Sequence, residues 1–224
     1  MTARLSALLV LAVASRAAGQ GSVSTRLAGR VSPEVASAVG GVADSAAARG
    51  LPVEPLVEKA IEGGAKGVPA QRVIAAVRAL AGRLDQAAAS VRAAGLPATD
   101  PDVIEAGAFA LSTGLTPGEV EGLLRHARAP YVPAAMLRVA GTLAALGVPP
   151  DETVQVVDQA IDAGTDASDL LDLPREVEAG MAHGATAGAA AAGMSHGQGQ
   201  GQGHTPATAQ PHGPPPGKGQ SRKP

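Results

Sequence analysis

Between residues 32 and 180, apolar side chains return every three or four positions. One stripe holds Leu56, Ala60 and Ile61, and a second holds Val73, Ile74, Val77 and Leu80. Others follow with Val103, Ile104 and Leu111, then Val120, Leu123 and Leu124, then Val154, Val157 and Ile161. That spacing puts each set on one face of an α-helix. No segment alternates apolar and polar residues with β-branched enrichment, so the pattern predicts no strands.

Local punctuation agrees with the periodicity. Ser32-Pro33-Glu34, Asp100-Pro101-Asp102 and Thr116-Pro117-Gly118-Glu119 each place a capping side chain before a proline and an acid. Proline suits the first turn because its missing N–H had no helical partner there, and Thr116 with Glu119 has capping-box spacing. Gly50, Gly67, Gly95, Gly114, Gly147 and Gly164 each follow a helix-compatible run, where glycine ends a helix most easily.

The runs repeat. Windows beginning at Arg49, Thr113 and Leu146 align without gaps, bringing Gly50, Gly114 and Gly147 into register. Gly67, Tyr131 and Gly164 also coincide, as do Val73, Leu137 and Leu170. The spacing predicts helix–turn–helix units of about 33 residues, with a degenerate unit over 81–112 and a longer helix over 70–93. A hairpin of short Ala-rich helices buries little apolar surface alone, whereas stacked hairpins share a core. The expected fold is all-α, either a solenoid-like array or an irregular bundle. Tetratricopeptide and ankyrin arrays have a similar period, but their signature residues are absent.

The two ends differ from this middle. Residues 1–19 carry Arg4, an apolar run from Leu5 to Ala14, and small residues before candidate cleavage points after Ala14 and Gly19. This is the pattern of a secretory signal peptide; the apolar run is too short to span a bilayer. Residues 20–31 read as a flexible lead-in, 32–183 as the helical domain, and 184–224 as a disordered Gly/Gln/Pro/His-rich tail. The expected location is periplasmic or extracellular, with no transmembrane span in the mature chain.

Composition narrows the chemistry. The 224 residues include no Cys, no Trp, one Phe and one Tyr. Thiol catalysis, a Cys-ligated zinc site and an aromatic platform for stacked bases are therefore excluded. All 20 acids lie between residues 20 and 180, against 13 basic side chains there, a balance of −7. The tail carries Lys218, Arg222 and Lys223 and no acid. An acidic domain argues against nucleic acid as the partner.

The remaining motifs have bland explanations. Gly193-Met194-Ser195-His196-Gly197 fits GxSxG, but no strand precedes it, as a nucleophile elbow requires. Gly63 to Gly67 lacks phosphate-loop spacing. His126, beside Arg125 and Arg128, reads as a surface helix residue. Asp158, Asp162, Asp166, Asp169 and Asp172 match no calcium loop. Glu62–Lys66 and Glu121–Arg125 are i,i+4 pairs that support a solvated helix face.

No catalytic, cofactor or metal residue is assigned, and no cofactor is expected. The expected function is a non-enzymatic protein-interaction or structural module of a bacterial envelope, with Tyr131 or Phe109 as an anchor. The alternative is metal handling by a tail bearing His183, His196, His204 and His212.

Overall fold

A computed structural model describes residues 23–197, with side chains described to residue 194. The expected leader over 1–19, both cleavage points, His204, His212 and the basic tip lie outside them. Among the described residues there is no strand. After a short helical segment at 23–27 come α1 (Pro33–Ala48), α2 (Glu54–Ala65), α3 (Ala70–Ala93), α4 (Pro101–Ser112) and α5 (Pro117–His126). Then follow α6 (Pro133–Ala145), α7 (Pro150–Asp162), α8 (Ala167–Ala182) and α9 (Ala187–Gly197).

The helices begin where the capping residues stand. Ser32 accepts from the Val35 N–H, and Asp100 accepts from the Asp102 N–H at 2.9 Å. Thr116 and Glu119 form both halves of a capping box: the Glu119 N–H reaches Thr116 Oγ1 at 3.3 Å, and the Thr116 N–H reaches Glu119 Oε2 at 2.6 Å. Each bond satisfies a donor with no intrahelical partner. The six glycines that mark helix ends all have positive φ. At Gly50, with φ 73°, the chain turns back so that the Leu51 N–H bonds the Ala46 carbonyl. That is the Schellman closure, which a Cβ would strain.

The α5–α6 turn breaks this pattern. Tyr131, which the alignment pairs with Gly67 and Gly164, lacks the positive φ of those glycines. Its ring is buried and its hydroxyl donates to the Thr165 carbonyl in the α7–α8 turn. Tyr131 is therefore not an exposed anchor for a partner, contrary to expectation. It ties two successive turns together.

Each helix packs on the next and, with one exception, on the next but one. This gives two layers: α1, α3, α5, α7 and α9 in one, and α2, α4, α6 and α8 in the other. Two apolar clusters lie between them, one from Val23 to Ala108 and one from Val91 to Ala191. Along the layers one joint is missing: α2 and α4 barely approach each other, although α4 packs on α6 and α6 on α8.

The aligned windows fall on α2–α3, α5–α6 and α7–α8. From α2 to α5 is three helices, an odd number, so the first window is out of phase with the other two. Its leading helix lies in the even layer, whereas α5 and α7 lie in the odd layer. The 24-residue α3 occupies chain length that a shorter helix and its turn would otherwise use.

Helix extends into both segments expected to lie outside the helical domain, the flexible 20–31 and the disordered 184–224. Residues 23–27 are helical, with Val23 and Leu27 buried on one face and Arg26 paired with Glu54 of α2. At the other end, α9 lies inside the segment expected to be disordered from residue 184. Thr186 caps it by accepting from the Ala189 N–H at 3.2 Å. Ala187 and Ala191 are buried against α7 and α8. Close approach replaces side-chain bulk there: a Cβ on Gly180 would lie 2.8 Å from that of Ala190. Alanine's helix propensity and this fit order a stretch with no branched aliphatic residue.

Candidate functional site: the groove between α2 and α4

The missing joint leaves an open groove of about 590 Å³. Its floor is α3, through Ala76, Ala79, Leu80, Arg83 and Leu84. One wall is α2, through Pro55 and Lys59; the other is α4, through Glu105, Ala108, Phe109 and Ser112. The same stripes that build the core also build the floor. Val77 and Leu84 are fully buried inward, while Ala76, Ala79 and Leu80 turn toward the groove.

Phe109 is the largest side chain in the wall and is 40% exposed. Its ring lies over Gly141 of α6, where a Cβ would come within 2.6 Å of ring Cδ1. The glycine thus lets the ring come close to α6 while Phe109 also lines the groove.

Charge at the rim is unevenly satisfied. Lys59 is held by Glu62 at 2.9 Å, and Glu62 also takes Lys66. Lys66 and Lys59 together hold the Glu62 carboxyl down at about 2. Arg83 and Glu105 make no ion pair among the described residues. Burial pushes the Glu105 carboxyl above its ordinary range; Asp102, Glu58 and Glu54 push the same way, and Arg138 opposes them. The groove is therefore an apolar trough with one open cation and one open anion at its edge.

The other candidate residues lie elsewhere. His126 is half exposed near the end of α5, with Nδ1 3.2 Å from Asp158 Oδ1 of α7. Burial raises the Asp158 carboxyl above its usual range, with His126 opposing and Asp162 adding to the rise. Arg128 donates to the Ile161 carbonyl at 2.8 Å and to Asp162 at 3.0 Å. These groups clamp α5 to α7. Asp172 pairs with Arg175 at 3.1 Å, and the Glu62–Lys66 and Glu121–Arg125 pairs both form. Among the described residues no three His, Asp or Glu side chains converge to hold a metal ion.

His183 caps the end of α8; the side chains of Ser195 and His196 lie outside those described. The backbone from Gly193 to Gly197 is helical, so the GxSxG match has no strand-to-helix elbow. No helix among the described residues is long and apolar enough to cross a membrane.

Sequence reasoning selected Phe109 because it is the only Phe. It missed the groove. Ala76, Ala79, Arg83 and Glu105 carry no local signal, since alanines and charges of that kind recur on most of the described helices. No family model matches this sequence, and no curated protein matches it.

Proposed function

We propose that this chain is an exported, non-enzymatic protein-interaction module of a bacterial cell envelope, and that it engages its partner through the α2–α4 groove. The observation that carries the reading is the groove itself. It combines an apolar floor, a half-exposed aromatic wall and two charged side chains without an ion partner among the described residues in one concavity. Concave apolar sites with a few placed polar groups are where ligands and partner segments bind. The leader-like residues 1–19 support export.

The test is capture from envelope extract with the full chain as bait, beside the Ala79→Arg variant. Ala79 is an exposed helical position on the groove floor, so arginine fills the trough without entering the core. A partner retained by the parent and lost with the variant is the expected result. A set of captured proteins identical for both baits, or none for either, overturns the groove as the binding face.

A further inference from the structure

We propose that the α2–α4 groove takes about two turns of a partner's amphipathic helix, which presents a basic side chain to Glu105 and an acidic one to Arg83. The inference rests on the interaction reading above and names the chemistry of the occupant.

The first support is the slot. Within the even layer α4 packs on α6 and α6 on α8, but α2 and α4 stand apart over α3. A helix laid there would sit on α3 between two helices, as α6 sits between α4 and α8. Its length is set by α3 and α4. Ala76 to Leu84 spans about 12 Å at 1.5 Å per residue, and Glu105 to Ser112 about 10 Å, which is two turns. Ala76, Ala79 and Ala108 keep the floor and one wall low, so a helix axis can approach to the 8–10 Å typical of packed helices. Leu80 and Phe109 supply the apolar contacts that a stripe at i, i+3/i+4 and i+7 would meet.

The second support is charge. Lys59 is already spent on Glu62, whereas Arg83 and Glu105 have no ion partner among the described residues. Asp102, Glu58 and Glu54 lie near enough to act on Glu105 with the sign that favours an arriving cation, and Arg138 opposes them. An occupant with both signs satisfies both open groups and is selected over one with a single sign. The chain's own leader carries Arg4 and Arg16 but no acid, so it satisfies only one of the two.

The test is a display library of helical peptides of about 15 residues, the length at which an isolated helix begins to hold. It is panned against the full chain, and affinities of the selected peptides are then measured by fluorescence anisotropy. The expected consensus has an apolar stripe flanked by one base and one acid. Ala79→Arg should weaken the selected peptides by at least about tenfold. Glu105→Lys should lower affinity for the parent consensus by about tenfold, and an acid in place of the peptide's base should recover it.

Three results overturn the proposal: no enrichment, peptides indifferent to Ala79→Arg, or charge preferences that Glu105→Lys leaves unchanged. Competition by a peptide of residues 1–19 that matches the selected peptides, or concentration-dependent self-association abolished by Ala79→Arg, would give the groove a different occupant and likewise overturn it. If envelope capture shows a partner lost with Ala79→Arg while the library selects nothing, the interaction reading stands and the helical occupant falls.

Discussion

Within one layer of this protein, the α4–α6 joint is closed and the α2–α4 joint is open. Both are built from small residues. At the closed joint Gly141 lies beneath the Phe109 ring, and a Cβ there would also come within 3.2 Å of the Ala110 Cα. On its other face α4 is equally close to α3: a Cβ on Gly107 would lie 3.0 Å from that of Ala87. At the open joint Ala76 and Ala79 of the floor and Ala108 of α4 are also small, yet α2, which presents Pro55 and Lys59, does not close on α4. Small side chains permit close approach but do not cause it. What differs is chain geometry: the 24-residue α3 lies between α2 and α4, and only the 10-residue α5 between α4 and α6.

Leucine truncation gives the largest test of this contrast. Leu137 and Leu84 are both fully buried, the first in α6 beneath α4 and the second beneath the groove. Leu137→Ala should cost about 3–5 kcal/mol and Leu84→Ala about 2–3 kcal/mol, because a cavity beside an open trough relaxes more easily. Urea unfolding of both variants measures this. An equal or reversed order would show that the open joint is no looser than the closed one.

Gly141→Ala comes next. Its Cβ meets the Phe109 ring and comes within 3.2 Å of the Ala110 Cα, and the change should cost about 1–3 kcal/mol by overpacking. A thermal midpoint unchanged from the parent would mean that the ring moves freely and the joint is not closed by contact.

Phe109→Ala should cost about 1–2 kcal/mol, less than the 3–5 kcal/mol usual for a buried phenylalanine, because the ring is 40% exposed. A loss above about 4 kcal/mol would place the ring in the core rather than in the groove wall.

The smallest effect is one of pH. The Glu105 carboxyl is raised in the folded protein, chiefly by burial and then by Asp102. A raised acid favours the protonated form on folding, so its contribution is fully present below the ordinary glutamate range. It is lost as pH rises through the raised folded value. Glu105→Gln should therefore flatten the stability–pH curve on the acid side of neutrality. A variant whose curve stays parallel to the parent's would show that the groove rim exerts no such field.

Much of the fold was legible because its determinants are local. Thr116 and Glu119 are three residues apart and satisfy each other. Gly50 and the bond it permits lie within six residues of one another. The length of α3 followed from an apolar period that did not stop between residues 70 and 93. Tyr131 was misread because a register shared with Gly67 and Gly164 implied a shared role. Its burial depends on Thr165, 34 residues away. The C-terminal flank was misread for a related reason: the Ala/Gly run from Ala187 to Ala192 carries no stripe of larger apolar residues, and only the surfaces of α7 and α8 make it worth ordering.

By itself, then, the sequence determined that this chain is helical, where most helices start and stop, and which faces turn inward. Each of those depends on hydrogen bonds and side-chain spacing within a turn or two. Only the tertiary structure decided which layer each helix enters, that the first window is out of phase with the others, and that α2 and α4 are left apart. Those outcomes depend on accumulated helix lengths and on where distant surfaces meet. A groove made by the absence of one contact has no residue of its own to announce it.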